Sequence, residues 1–247
     1  MTPDAEIQEA AGSAPAAPVL APDGRPRPAS VAIVAMGASH HDFIHGAAVA
    51  GGYHAAADEV WAINAMAGVI RHDRAFIMDP PRHILDPARQ AATPAFLQYA
   101  EWLQRHPGPV YSTETDPRCP GVVDYPLEEI LNAHGFVYMN TTVAYAIAYA
   151  SWIEVPQIKL FGCDFSYPDA HIAESGRACA EFWMAVAIAK GLRVQVCASS
   201  TLFDSCVPFD QRLYAYGRAG RRPVVTPGED GRRFRVEWVA NEPPAAG

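Results

Sequence analysis

Short apolar runs alternate along the chain with longer stretches in which apolar residues recur at helical spacing. A short apolar run bounded by polar or turn residues is typical of a buried strand, and a recurrence every three or four residues is typical of a helix. Strands are predicted at residues 31–36, 59–64, 74–79, 109–113, 157–162 and 193–198. Helices are predicted in the second half of 86–106 and over 125–135, 141–154 and 174–191.

Two further stretches complete the prediction. The segment GASHHDF, which follows the first strand, is predicted to be a loop, and the Ala/Gly-rich stretch after it receives no element. Residues 222–240 contain two β-rich runs around PGEDG, which indicates a hairpin. Since helices separate the other strands, the chain predicts an α/β, Rossmann-like fold. We expect a mainly parallel sheet flanked by helices, with a C-terminal β-hairpin.

The composition suggests three regions. Residues 1–29 contain six Pro and eight Ala with few large apolar side chains, so they are predicted to be a disordered leader. Residues 30–217 carry the alternating pattern and are predicted to form one Rossmann-like domain. Residues 218–247 are predicted to be an Arg-rich hairpin and tail.

Charge and cysteine content narrow the partners and the compartment. The net charge of -8 disfavours nucleic acid as a partner, because a backbone binder needs a concentrated basic surface. One region is rich in arginine, and we interpret it as the solvated face of the hairpin: Arg218, Arg221, Arg222, Arg232, Arg233 and Arg235. Five cysteines without a CxxC pair, no apolar run of membrane length and no signal-like start predict a cytoplasmic protein with reduced thiols. The oligomeric state is left open, with a homo-oligomer among the alternatives.

Polar residues follow the predicted strands at the points where the strands end. The carboxyl ends of parallel strands form the ligand crevice of doubly wound sheets, so these residues are candidate nucleotide ligands. They are Gly37, Ser39, Asn64, Asp79, Asp164 and Tyr167, joined by Thr141 and Thr142 at the start of a predicted helix.

Each candidate also has a plain structural interpretation. Gly37 fits a phosphate-binding turn or an ordinary turn, since neither GxGxxG nor a P-loop is present. Asn64 and Asp164 can bind a nucleoside or cap local turns. Thr141 can help form an anion site or simply cap its helix. Tyr167 can stack on a base or anchor its loop.

The catalytic candidates are His171, with Asp169 beside it, and Asp164. An imidazole titrates near neutrality and can act as a general base. The pair His40 and His41 is the alternative. The spacing of Asp164, Asp169 and His171 is too loose to predict a metal site, so none is assigned.

The segment TTVAYAIAYASWIEVPQIKLFGCDF, followed by EFWMAVAIAKGLRVQVCASSTLFD, resembles the MAF/MptE-like protein family. That family includes flagellin glycosyltransferases and archaeal 6-hydroxymethylpterin diphosphokinases. The order of elements is also similar to that of bacterial lipooligosaccharide sialyltransferases, and the resemblance covers about residues 31–204. The chain departs from the family's Gly-Asn-Gly-Pro-Ser turn, because Met36 stands in place of the Asn.

The resemblance implies a nucleotide-binding transferase domain over residues 30–217. By position it places Gly37 and Ser39 near the nucleotide phosphates, and Tyr167 and His171 toward the transferred group. The nucleoside would be held by Asn64, Thr141, Thr142 and Asp164. The implied function is a glycosyltransferase that uses a nucleotide-activated sugar. The alternatives are an ATP-dependent diphosphotransferase that uses Mg²⁺ and a non-catalytic nucleotide-binding module, and the acceptor is left open.

Overall fold

The structure of the protein is a computed structural model that describes residues 19–216, 221–229 and 233–240. Seven of its strands form one sheet and two form a separate hairpin. The strands are β1 Ser30–Val34, β2 Glu59–Ile63, β3 Arg74–Phe76, β4 Val110–Ser112, β5 Val122–Asp124, β6 Gln157–Phe161, β7 Arg193–Val196, β8 Arg221–Pro227 and β9 Phe234–Ala240.

Helices link four consecutive pairs of strands, all in the large sheet. They are α1 His40–Ala50, α2 Pro81–Ile84, α3 Pro87–Ala92, α4 Pro94–Arg105, α5 Leu127–His134, α6 Thr142–Trp152 and α7 Ala170–Ala189. Short 3₁₀ turns lie at Tyr53–Ala55, Asn64–Gly68, Leu202–Asp204 and Phe209–Arg212.

The large sheet has the order β5-β4-β3-β2-β1-β6-β7, and every neighbouring pair is parallel. The central strand β1 pairs on one side with β2, where Val31 lies opposite Glu59. On the other side it pairs with β6, where Val31 lies opposite Ile158. The predicted Rossmann-like α/β fold is therefore confirmed.

Helices cover both faces of the sheet, which explains why β1 is apolar along nearly its whole length. On one face Ile33, Trp61 and Phe76 pack in a cluster with buried residues of α5, α6 and α7. On the other face Val34 and Ala62 pack with residues from α1, α2 and α4.

The loop predicted after β1 is wrong, because α1 begins at His40. Alanine is the best helix former, so the Ala-rich stretch needs few apolar anchors to become helical. Phe43 and Ala47 supply them, four residues apart and both buried against the sheet. Two strands also differ from the prediction. β5 was not predicted, and β3 ends at Phe76, whereas a strand over 74–79 was expected.

The predicted C-terminal hairpin is confirmed as β8 paired antiparallel with β9. Trp238 anchors one of its faces, with the Tyr216 ring centroid 5.6 Å away and the Arg221 guanidinium 4.5 Å above the indole. Of the arginines interpreted as a solvated face, Arg218 and Arg232 lie outside the described residues.

Part of the predicted disordered leader packs against the domain. Leu20 and Pro26 form an isolated β-bridge, and Ala21 is buried. Asp23 accepts a hydrogen bond from the buried Arg74 at 3.1 Å. The expectation of disorder over residues 1–29 is therefore wrong for residues 19–29, because Ala21 is buried and Asp23 adds a second carboxylate beside Glu59 to the buried cation. Residues 1–18 lie outside the described residues.

The cysteines agree with the expectation of free thiols. Cys119, Cys163 and Cys179 are buried, Cys197 is half-buried and Cys206 is exposed, and all of them are unpaired. In the part of the chain that the structure describes, no helix has both the length and the apolar character needed to span a bilayer.

Candidate functional site

The strand order reverses at β1, because the chain adds β2 to β5 on one side and β6 and β7 on the other. In doubly wound folds this switch point opens a crevice at the carboxyl ends of the two central strands. Here the two strands are β1 and β6, which are followed by a turn that contains Gly37 and Ser39 and by a turn that contains Gly162 and Asp164.

These two turns are joined by hydrogen bonds. The Asp164 carboxylate accepts from the backbone N–H of Ser39 at 2.7 Å and from its hydroxyl at 2.9 Å. The Gly162 N–H donates to the same hydroxyl at 2.8 Å, and the Gly37 N–H donates to the Gly162 carbonyl at 2.7 Å. The Asp164 carboxylate thus accepts from the N–H of Ser39, the N-cap residue of α1, at the kind of helix N-terminus that binds phosphates in other proteins.

The two turns approach each other so closely that Gly37 and Gly162 leave no room for a side chain. A Cβ at Gly37 would lie 2.6 Å from the Gly162 carbonyl oxygen and 2.7 Å from Cβ of Asp164. Gly162 has a φ of +63°, and a Cβ there would lie 2.1 Å from the Ala35 carbonyl oxygen. The close contact between the turns is therefore enough to explain a glycine at position 37, as expected for an ordinary turn.

A cavity of about 310 Å³ lies between the start of α6 and the start of α7, and we call it the α6–α7 cavity. It brings together three residues predicted from the sequence, namely Thr141, Tyr167 and His171. The other lining residues are Asn140, Phe165, Ile172, Ser175 and Gly176. Both helices begin at the carboxyl edge of the sheet, so the cavity lies where the topology predicts a ligand.

The two helices that border this cavity differ at their first turns. Asp169 caps α7, since its carboxylate accepts from the backbone N–H groups of His171 and Ile172 at 2.9 and 3.1 Å. Thr141 stands at the N-cap of α6 but forms no side-chain capping hydrogen bond. The first turn of α6, which begins at Thr142, therefore keeps the positive end of its helix dipole uncompensated by a capping side chain.

A larger cavity of about 530 Å³ lies at the carboxyl ends of β2 and β3, and we call it the β2–β3 cavity. It brings together Asn64 and Asp79, which were also predicted from the sequence. Its remaining walls come from α2, α3, α4 and the turn after β2: Ala65, Gly68, Val69, His83, Ile84, Arg89, Ala95, Phe96, Gln98, Tyr99 and Trp102.

Asn64 has an unusual environment in this cavity. Its φ is +51°, a left-handed conformation that costs free energy for a residue with a side chain. Its Oδ1 atom is buried, and no donor in the described part of the chain reaches it. Nearby, burial and the negative charge of Asp79 raise the pKa of Tyr99 well above its ordinary value.

The predicted site residues thus fall into three groups along one edge of the sheet. Gly37, Ser39 and Asp164 form the switch-point contacts, Asn64 and Asp79 line the β2–β3 cavity, and Thr141, Tyr167 and His171 line the α6–α7 cavity. Thr142, the first residue of α6, lines neither cavity. His40, the alternative catalytic candidate, uses Nδ1 to donate to the Gly37 carbonyl at 2.8 Å.

Sequence reasoning missed the aromatic wall of the β2–β3 cavity. The sequence predicts a helix in the second half of 86–106, but helical spacing alone does not show that Tyr99 and Trp102 line a cavity. One feature of the sequence could have indicated this wall. Three aromatic residues, Phe96, Tyr99 and Trp102, lie on a helix whose other positions include the polar residues Gln98, Glu101 and Arg105.

The described ranges contain no group of three or more His, Cys, Asp or Glu side chains that could hold a metal ion. Comparison of the chain with protein-family models, with curated proteins and with solved structures gives no match. The family resemblance therefore stays a prediction that depends on the motifs quoted above.

Proposed function

We propose that the protein is a nucleotide-dependent transferase, foremost a glycosyltransferase that uses a nucleotide-activated sugar. The observation that carries this proposal is the meeting of Thr141, Tyr167 and His171 in the α6–α7 cavity, beside the uncapped start of α6. A helix N-terminus attracts phosphate through its free N–H groups and its dipole. The donor would therefore place its phosphate at the first turn of α6.

The transfer would be a direct displacement at the anomeric carbon. The acceptor oxygen forms the new bond to that carbon while the bond from the carbon to the leaving phosphate oxygen breaks. His171 would take the proton of the acceptor hydroxyl as a general base. The dipole of α6 would stabilise the negative charge that develops on the leaving phosphate.

Asp164 has a different part in this proposal from the catalytic one predicted from the sequence. Its carboxylate already accepts hydrogen bonds from Ser39 at 2.7 and 2.9 Å. We therefore assign it a positioning role, in which it holds the turn after β1 against the turn that leads to Tyr167.

A thermal-shift screen with CMP, UMP, UDP, GDP, ADP and ATP, each with and without Mg²⁺, tests the proposal. A ligand that binds the native state stabilises it by about 2.7 kcal/mol at a hundredfold excess over Kd. We expect a mono- or diphosphate to raise the unfolding midpoint without Mg²⁺. We also expect His171→Ala and Tyr167→Ala to reduce that shift. His45→Ala is the matched control, because His45 is exposed on α1.

The other outcomes separate the alternatives. A shift that requires both ATP and Mg²⁺ would favour diphosphate transfer. Binding without release of nucleotide from any nucleotide sugar would favour a non-catalytic binding module. If no nucleotide raises the midpoint, the proposed function is wrong.

A further inference from the structure

The β2–β3 cavity has an aromatic wall. Phe96, Tyr99 and Trp102 line it from α4, and the rings of Tyr99 and Trp102 are stacked with centroids 5.8 Å apart and planes 16° from parallel. Aromatic faces carry partial negative charge and attract C–H bonds that point toward them. This wall fits a ligand that presents an apolar face.

The strand-end side of the same cavity is polar. Asn64 lines this side with its side-chain amide, and Asp79 adds a carboxylate that accepts hydrogen bonds. Arg89 and Gln98 add donors at the rim. A ligand that offers donors to Asp79 and acceptors to Arg89 and Gln98 fits this side, and the Asn64 amide can pair with either kind of group.

A hydroxyl group is both a donor and an acceptor, so a ring that carries several hydroxyls satisfies all these groups. We infer that the β2–β3 cavity binds a carbohydrate, with its C–H face on Tyr99 and Trp102 and its hydroxyls at Asn64 and Asp79. The volume of about 530 Å³ falls in the usual range for small-molecule sites. Asn64 then serves this ligand and not the nucleoside to which the family resemblance assigns it, and Asp79 serves it in place of the nucleotide expected at the end of its strand.

The inference rests on the proposed function and deepens it, because the bound carbohydrate would supply the acceptor hydroxyl. For transfer, that hydroxyl would extend from the β2–β3 cavity to His171 in the α6–α7 cavity. The two substrates would then occupy different cavities at one edge of the sheet. Binding of the carbohydrate is nevertheless a property of the β2–β3 cavity alone, so it can be measured without a nucleotide.

Saturation-transfer NMR with methyl glycosides of glucose, galactose and mannose, without nucleotide, is the direct test. We expect at least one glycoside to receive saturation through its C–H face. Asp79→Asn should lower its affinity about tenfold, as expected when a hydrogen bond to a charged group becomes a neutral one. His171→Ala, which alters the α6–α7 cavity, should leave the affinity unchanged.

Asn64→Gly separates a binding role from a structural one. Glycine adopts the left-handed conformation freely, so the unfolding midpoint should stay the same or rise. The affinity for the glycoside should fall about tenfold because the amide is lost. A lower midpoint with unchanged affinity would overturn the role assigned to Asn64.

Two results would overturn the inference itself. One is the absence of saturation transfer to every glycoside. The other is a nucleotide whose binding is weakened by Asp79→Asn but not by His171→Ala, since that would place the nucleotide in this cavity. If glycosides bind but no nucleotide does, the inference stands and the proposed function fails. If nucleotides bind at the α6–α7 cavity while no glycoside binds, the reverse holds.

Discussion

Asp164 and Ser39 lie 125 residues apart in sequence, and the carboxylate of the first accepts both the backbone N–H and the hydroxyl of the second. The contact joins the turns that follow β1 and β6, the two strands between which the sheet order reverses. Polar residues at this point were expected to bind a nucleotide. In this structure Ser39 and Asp164 form hydrogen bonds with each other.

Replacement of Asp164 by Ala should lower the free energy of unfolding by about 2–3 kcal/mol. The two Ser39 donors would lose a charged acceptor in a part-buried site, and hydrogen bonds to charged groups contribute about this amount. Urea unfolding of the purified variant measures the loss. Asp79→Ala is the control, since Asp79 is exposed and should change stability by no more than about 0.5 kcal/mol. Unchanged stability with lost turnover would instead support the direct catalytic role predicted from the sequence.

Gly37→Ala and Gly46→Ala should change stability in opposite directions. The new Cβ at Gly37 would press on the Gly162 carbonyl oxygen, and overpacking of this kind costs about 1–3 kcal/mol. Gly46 lies inside α1 with no atom within 4 Å of an added Cβ, so alanine there should stabilise the helix by about 0.5–1 kcal/mol. Thermal unfolding of the two variants beside the parent protein gives the comparison. Equal effects at the two positions would contradict the close approach of the turns.

Stability should fall as the pH decreases from about 6.5 to about 4, and part of that fall should come from His106. Burial and the neighbouring His72 lower the pKa of His106 to about 4, whereas its ordinary value is about 6.5. Between these values the unfolded chain binds a proton that the folded chain does not, so protons favour unfolding.

The hydrogen bonds explain why His106 stays neutral. The Gly108 N–H donates to Nδ1 of His106 at 3.0 Å, so this nitrogen must accept. Nδ1 of His72 donates to the Ile70 carbonyl at 2.9 Å, which leaves its Nε2 to accept from Nε2–H of His106 at 3.0 Å. A second proton on either ring would break one of these contacts.

His106→Asn tests the prediction, because the Asn oxygen can still accept from Gly108 while the titrating group is gone. The urea midpoint of this variant should depend less on pH between 6.5 and 4 than that of the parent protein. His45→Asn, at an exposed position, should keep the parent's slope. Equal slopes for the parent and His106→Asn would contradict a lowered pKa.

Local patterns in the sequence predicted six of the seven strands of the sheet, because each of these holds a short apolar run or an alternation of apolar residues, while the three-residue β5 was missed. They could not show that Asp164 reaches Ser39, since that contact follows from the order of β1 and β6 in the sheet. They also could not distinguish Tyr99 and Trp102, which line a cavity, from Leu103, which is buried in the core. All three recur at helical spacing on one helix.

The salt bridge between Asp23 and Arg74 lies at the opposite edge of the sheet from both cavities. The guanidinium belongs to Arg74, the first residue of β3, and it pairs with the carboxylates of Glu59 and Asp23. Asp23 lies in the segment that precedes β1. A protease that cut the chain between Asp23 and Ser30 would leave the cation in place and release this counter-charge. A fragment chosen to begin at the first strand would have the same defect, so a recombinant domain that is meant to be stable should begin before Leu20.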